Sequence, residues 1–321
     1  MDPSPCVALV PLPKDAPGGQ LDATAARRLL AAFLAGRSPA TLRGYQADVD
    51  DFARFAGAAS ADAAAALLLA RGPGPANELA LHYKAHLQGR GLSPATVNRR
   101  LAALRSLIKL ARTLGLVTWS LDVEGLRSEA YRDTRGPGTA GYRRLLAQLD
   151  GKADPRSLRD RAIVRLLYDL GLRRAEVCRL DLADYEPAGP ALLVLGKGRS
   201  EKQRLTPPTS PAAAIAAWLA ARPASEAAAL FVRLDRPANG RLDGSTIYRV
   251  VRQLGEAAGV RVRPHGLRHS SITRVLDLSG GDIRAAQRFS RHRDVRVLER
   301  YDDSREDLAG QLARRLAEDA G

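Results

Sequence analysis

Cysteine is nearly absent: Cys6 and Cys178 are the only two in 321 residues, too few for a disulfide framework. That scarcity points to a reducing, cytoplasmic setting. Cys178 stands among apolar neighbours and reads as a small buried side chain. No run of about 18 apolar residues occurs, so no membrane span is expected. The opening MDPSPCVALVPLPKDAPGG lacks a basic region leading into a long apolar core, so it does not read as a secretory signal. No fixed-period repeat is found. Acidic residues are also in deficit. Thirty-five Asp+Glu face 50 Lys+Arg, giving a net charge of +15 and a pI near 10.5. Such a surplus suggests a polyanionic partner, of which nucleic acid is the commonest.

A hydrophobic content of 45% is enough for packed cores and argues against general disorder. The length suits two domains. Residues 1–20, rich in proline and closed by Gly18-Gly19, read as a flexible tail. Residues 21–121 read as an all-helical domain. Apolar residues recur at helical spacing over Leu21–Ala35 (Ala26, Leu29, Leu30, Phe33) and again at Leu42, Tyr45, Val49, Phe52 and Phe55. Ser38-Pro39 and Ser93-Pro94 are matching helix openings, serine capping and proline entering the first turn. Ser60 is a candidate cap for the alanine-rich run to Ala70, Gly72-Pro73-Gly74-Pro75 ends that run, and a further helix covers Ala76–Gln88. The helix behind Ser93 buries Val97, Leu101, Leu104, Ile108 and Ala111. Its other faces carry Asn98, Arg99, Arg105 and Lys109, either a solvated basic face or a nucleic-acid contact. Residues 122–139, where periodicity fades around RSEAYRDTRGPGT, read as a linker.

The second domain covers residues 140–321. Helices are expected at Tyr142–Leu149 and Leu158–Leu170, with Gly171 in a left-handed terminating position and a new helix carrying Arg173 and Arg174 in its first turn. A helix start beside an arginine can hold a phosphate, although an exposed arginine paired with Glu176 or Asp184 would give the same pattern. Ala191–Leu195 and Gln203–Thr206 read as a strand pair whose turn carries Lys197 between two glycines. That turn lacks the Gly-x-x-x-x-Gly-Lys-Ser/Thr spacing of a nucleotide phosphate loop, so ATP use is not suggested. Helices follow around Trp218 and over Ser245–Ala258, the latter capped by Ser245. HGLRHSSITRVLDL is a helix on which His265 and Arg268, one turn apart, can face one point. Asp282–Phe289 and Asp294–Tyr301 are shorter helices, and Leu308, Leu312 and Leu316 form a narrow apolar stripe on a charged terminal helix. Arginine, imidazoles and a phenol within His265–Tyr301 fit phosphoryl transfer with tyrosine as the attacking group.

GLRRAE (Gly171–Glu176), the Lys197 turn, HGLRH (His265–His269), and His292 followed nine residues later by Tyr301 stand in one order. Together they resemble the tyrosine recombinases, or phage integrase family, most closely its Xer type. The resemblance covers nearly the whole chain. It implies a mostly α fold with a small β-sheet: a helical (SAM-like) core-binding domain, then an α+β catalytic domain. It implies site-specific DNA recombination through a 3′-phosphotyrosyl intermediate and a Holliday junction. Tyr301 would be the nucleophile, Arg173 and Arg268 the clamps on the non-bridging oxygens, and Lys197 the acid for the 5′-oxygen. His265 would assist proton loss from the tyrosine, and His292 would donate to the phosphate. Motif register favours Arg173, but the residues alone leave Arg174 as an alternative. Thr41, Arg43, Thr96, Asn98, Arg99 and Arg105 would contact DNA. No cofactor or metal is implied, because the covalent intermediate stores the phosphodiester bond. The implied partners are duplex DNA carrying a recombination site and other protomers in a tetramer joined through the C-terminal helix; the need for a second recombinase or accessory protein is left open. A nucleoid-associated place in the cytoplasm and no membrane partner would follow.

Two positions depart from the family pattern. Arg291 stands before His292 where the family usually has glycine, and Leu298 stands where a small hydroxyl residue is common. Tyr301 is free, on this reading, to lie outside the basic pocket when DNA and partner protomers are absent. A type IB topoisomerase and a non-catalytic DNA-binding protein of the same fold are the alternatives.

Overall fold

The computed structural model describes residues 23–35, 39–127, 136–196, 198–235, 240–301 and 308–319. The expected tail at 1–20, the Ser38 cap, the middle of the linker and Lys197 lie outside them. The chain divides into two compact units, Met1–Glu129 and Ala130–Gly321.

The first unit is helical: α1 (Ala23–Leu34), α2 (Pro39–Phe55), α3 (Ala61–Ala70), α4 (Pro73–Gly89) and α5 (Pro94–Thr113). Residues three and four apart on each helix meet in one core that includes Leu29, Phe33, Phe52, Leu68, Tyr83, Leu87, Leu101 and Leu104. Ser60 and Ser93 cap α3 and α5, each accepting from a backbone N–H three residues on. Helix α4 starts at Pro73 rather than Ala76. A proline within the first turn gives up an N–H that has no helical partner anyway, so Gly72 alone makes the break. Residues 122–127, expected to begin the linker, pack on this unit: Val123 is buried and Leu126 is held by Asn98.

The second unit contains α6 (Gly138–Ala147), α7 (Pro155–Tyr168), α8 (Arg174–Arg179), β1 (Tyr185–Glu186), β2 (Ala191–Leu195), β3 (Lys202–Leu205), α9 (Thr209–Ala221), α10 (Gly244–Ala257), α11 (Pro264–Leu278), α12 (Ile283–Ser290) and α13 (Leu308–Asp319). The strands form one antiparallel sheet in the order β1-β2-β3, with Leu195 opposite Lys202 at the turn end. The fold is therefore mostly α with a small antiparallel sheet. Its main core surrounds Leu166, Ile215, Trp218, Phe231 and Leu267, and the Trp218 indole donates to the Leu230 carbonyl at 2.9 Å. Helix α10 is capped by Asp243, not Ser245, because the Asp243 carboxylate accepts from the Thr246 N–H at 2.7 Å. The segment Val295–Tyr301 is a 3₁₀ helix. It carries Leu298 and Tyr301 into a second, smaller core with Ile272, Leu276 and Ala286. Cys178 is only partly buried. Among the described residues, no helix is long and apolar enough to cross a membrane.

Candidate active site

The site is built from the end of α7, the start of α8, the first two turns of α11 and the end of α12. Gly171 sets the first junction. Its φ of +54° ends α7 in the left-handed region, and the Leu172 N–H closes on the Leu166 carbonyl at 3.0 Å. A side chain there would also meet Phe289 at 2.8 Å, so glycine is required twice over. The Gly171 carbonyl accepts from Nη1 of Arg268 and from Nη2 of Arg291, the latter at 3.1 Å.

Two residues on, Arg173 is the N-cap of α8 rather than a first-turn residue. Its backbone N–H donates to Oε2 of Glu176 at 2.9 Å, and its Nη1 donates to Oε1 at 2.7 Å. The carboxylate thus fixes both the backbone and the side chain of Arg173, which is one quarter exposed. The neighbour Arg174 is directed elsewhere. A Cβ on Gly244 would lie 3.0 Å from its Nε, and it acts electrostatically on Cys178. Arg173 instead acts on His265, Arg268 and His292. Of the two adjacent arginines, Arg173 is thus the one grouped with His265, Arg268 and His292.

Arg268 is 1% exposed. Its Nη1 and Nη2 donate to the carbonyls of Gly171 and Ser290, while Nε has no acceptor among the described residues. Burial, then Arg173 and Arg291, bring Arg268 down to about 9, so it stays cationic at neutral pH. His265 follows Pro264 in the first turn of α11. Desolvation of its ring, then Arg268 and Arg173, hold it below the ordinary imidazole range, which favours the neutral base even though part of the residue reaches solvent.

His292 lies between these groups. Its Nε2 is 3.4 Å from Nη2 of Arg268 and its Nδ1 is 2.9 Å from Oγ of the buried Ser290. Arginine has only donors to offer, so Nε2 faces it as the acceptor and Nδ1–H donates to Ser290. Burial, reinforced by Arg268 and Arg173, lowers His292 to about 4.

Tyr301 completes the cluster. It is 4% exposed, its ring stacks on His269 with centroids 4.5 Å apart, and it lies 5.7 Å from the His292 ring. It also acts electrostatically on Arg268. Of the two placements left open for Tyr301, the structure shows the inner one: Leu298 and Tyr301, three apart on the 3₁₀ helix, are drawn into the core with Ile272 and Leu276. Arg173, His265, Arg268, His292 and Tyr301 are brought together, and Lys197 lies outside the described residues.

Glu176, which the sequence offered as an ion-pair partner for the arginine at this helix start, is indeed paired with Arg173. Two further groups at this site were not singled out by chemistry in the sequence. His269 stands one turn beyond His265 on α11, and Arg291 stands out only as a departure from glycine.

The DNA-contact candidates of the first unit divide. Asn98 accepts from the Leu126 N–H at 2.6 Å and donates to the Leu126 carbonyl at 2.8 Å, so its amide is committed within the fold. Thr96 shares a 3.0 Å hydroxyl contact with Ser93 at the α5 cap. Arg99 pairs with Asp48, though its side chain is half exposed. Thr41 and Arg43 are exposed on α2, and Arg105 is partly exposed on α5.

The phage integrase family model matches residues 140–307. A tyrosine recombinase of Synechocystis sp. is 41% identical over 293 residues, covering 88% of this chain and 92% of its own length. Tyrosine recombinase XerA of Thermococcus kodakarensis is 31% identical over 269 residues, covering 84% of this chain and 86% of its own. The fold matches that of the Tn1549 transposon integrase, solved in complex with transposon right end DNA, with a TM-score of 0.67 at 18% identity, covering 91% of this chain and 99% of that one. The chain belongs to the phage integrase family of tyrosine recombinases and is related to its Xer-type members.

Proposed function

We propose that this site-specific DNA recombinase cuts and rejoins DNA with Tyr301 as its nucleophile and Arg173, Lys197, His265, Arg268 and His292 as the groups that serve the scissile phosphate. One observation carries this reading. The Tyr301 ring is 5.7 Å from His292, and the His292 ring is in turn 3.4 Å from Arg268, so the phenol shares a pocket with the cations that would hold a phosphate. The 41% identity to a named tyrosine recombinase supports the same class of chemistry.

A phenol ionises near pH 10 and attacks slowly at neutral pH without help. His265, held neutral, can accept that proton as the Tyr301 oxygen bonds to phosphorus. The phosphorus–5′-oxygen bond breaks, and Lys197 supplies a proton to the leaving oxygen. The pentacoordinate transition state carries more negative charge than the diester. Arg173 and Arg268 therefore stabilise it preferentially, and loss of one such fixed donor costs on the order of 10²–10³ in rate. The phosphotyrosyl bond conserves the energy of the diester, so attack by the 5′-hydroxyl of a partner strand can reseal it. Exchange of one strand pair and then the other passes through a Holliday junction.

Assembly on DNA follows from the family. A tetramer joined through α13 fits the exposed Leu316 on that helix, which has 74% of its surface open. Residues 21–121 serve as the core-binding domain in this account and residues 140–321 as the catalytic domain. An added recombinase or accessory protein would act through the same assembly.

A nicked suicide duplex carrying the recombination site tests the reading. The wild-type chain should accumulate a covalent DNA adduct without added metal or nucleotide, and Tyr301→Phe should bind the same DNA and form none. An adduct from Tyr301→Phe at the wild-type rate would overturn it.

A further inference from the structure

Arg291 has a backbone that arginine rarely adopts. Its φ of 59° and ψ of 33° are left-handed, and it is the one non-glycine residue with positive φ among those described. Its long side chain is also buried, with 4% of it exposed. Both features are unfavourable in isolation, and the contacts of the guanidinium account for their retention. Nη1 donates to the carbonyls of Leu170 at 3.2 Å and Phe289 at 3.1 Å. Nη2 donates to the Gly171 carbonyl and to Oε2 of Glu176, each at 3.1 Å. The two acceptors on Nη2 are the ones already engaged by the active-site arginines. Gly171 accepts from Arg268, and Glu176 accepts from Arg173.

We propose that Arg291 is a positioning residue for the phosphate pocket: by gripping the Gly171 carbonyl and the Glu176 carboxylate together, it fixes the acceptors that aim Arg268 and Arg173. This inference rests on the functional reading given above. Arg291 does not itself serve the phosphate, because its terminal nitrogens are occupied by protein acceptors inside the fold. Its charge nevertheless matters to Glu176. Burial would push that carboxyl up, but Arg291 first and then Arg173 outweigh burial and keep it ionised. An ionised Glu176 accepts from both the N–H and the guanidinium of Arg173; a protonated one loses part of that capacity. Position strengthens the case. Arg291 stands between Ser290, whose carbonyl holds Arg268 and whose hydroxyl meets Nδ1 of His292, and His292 itself. A clamp at this point sets three of the proposed phosphate ligands at once.

The variants Arg291→Gly and Arg291→Lys of the full-length chain separate this role from one in stability alone. Glycine suits the left-handed backbone and removes the fork, while lysine keeps the charge without it. Single-turnover cleavage of saturating suicide duplex is followed from about pH 5 to about pH 8, with DNA affinity and melting temperature measured alongside. Arg291→Gly should lose about tenfold or more in cleavage rate with DNA affinity within about twofold of wild type. The acid limb of its rate profile should move to higher pH, because Glu176 then protonates earlier. Arg291→Lys should lie between. A glycine variant that melts lower but, while folded, cleaves at the wild-type rate with an unmoved profile would overturn the proposal. If the glycine variant does not fold, the lysine variant decides on the same two readings: a slower rate with a shifted limb supports the role, and a wild-type profile overturns it. Absence of any adduct from the wild-type chain would instead refute the functional reading, and this inference with it.

Discussion

His269 and Tyr301 stack, their ring planes 27° apart and their centroids 4.5 Å apart. The stack joins the first turns of α11, which carry His265 and Arg268, to the end of the 3₁₀ helix, which carries the tyrosine. A stacked aromatic pair is worth about 0.5–1.5 kcal/mol beyond its burial, enough to bias where a phenol rests. His269→Ala should therefore slow adduct formation by roughly tenfold at saturating DNA while leaving DNA affinity nearly unchanged. His269→Phe, which keeps a ring, should recover much of the rate. Equal rates for alanine and phenylalanine would remove the stack from the account.

His292 should be uncharged in the free protein and should take up a proton when DNA binds. Its value of about 4 lies below the ordinary 6.5, so between those two pH values the unfolded chain binds the additional proton. The stability due to neutral His292 is therefore complete above about pH 6.5 and is lost as pH falls toward about 4, amounting to ~3 kcal/mol at most. His292→Asn should flatten part of the acid loss in melting temperature. A phosphate beside the ring opposes Arg268 and Arg173 and raises the imidazole. Calorimetry in buffers of different ionisation enthalpy near pH 6 should thus show proton uptake on DNA binding by the wild type and less by His292→Asn.

The basic residues of the first unit should not contribute alike. Arg43→Ala and Arg105→Ala should each weaken binding across all DNA sequences and reduce the salt dependence by about one ion, as loss of a phosphate contact does. Asn98→Ala should instead destabilise the fold by about 1–3 kcal/mol, through the orphaned Leu126 backbone groups, without changing which DNA site is preferred. Binding titrations at several salt concentrations, paired with melting curves, distinguish the two behaviours.

Asp51 should be the most sensitive charge of that unit. It is 3% exposed and accepts from Tyr83 at 2.8 Å and from Arg90 at 3.0 Å, as well as from Arg100 and Arg54. Asp51→Ala leaves the largely buried Arg100 without its closest acceptor and should cost about 3–5 kcal/mol, read as a large fall in melting temperature.

The helices were legible in the sequence because their signals are local. Ser60 and Ser93 announce their caps, Gly171 its turn, and the spacing of Val97, Leu101, Leu104 and Ile108 a buried face. The pairing His265–Arg268 was legible for the same reason, since both stand on one helix. What was not legible depends on contacts between distant segments. Asn98 and Arg99 look like free polar groups along α5, yet their partners Leu126 and Asp48 lie 28 and 51 positions away. Burial of Tyr301 depends on α11 and α12 meeting, and a 3₁₀ helix places Leu298 and Tyr301 on one edge where an α reading points them less directly together. Arg291 looked like a local departure. Three of its side chain's acceptors, Leu170, Gly171 and Glu176, come from the α7–α8 junction, 115 to 121 positions away.

The most direct measurement is identification of the residue that becomes attached to DNA. The wild-type chain is incubated with a nicked suicide duplex, the adduct is digested with protease and nuclease, and the nucleotide-bearing peptide is sequenced by mass spectrometry. The expected product is a 3′-phosphate linked to the Tyr301 oxygen, in the peptide that runs on from Val295. A nucleotide on any other residue, or an adduct that persists at the wild-type rate in Tyr301→Phe, would contradict it.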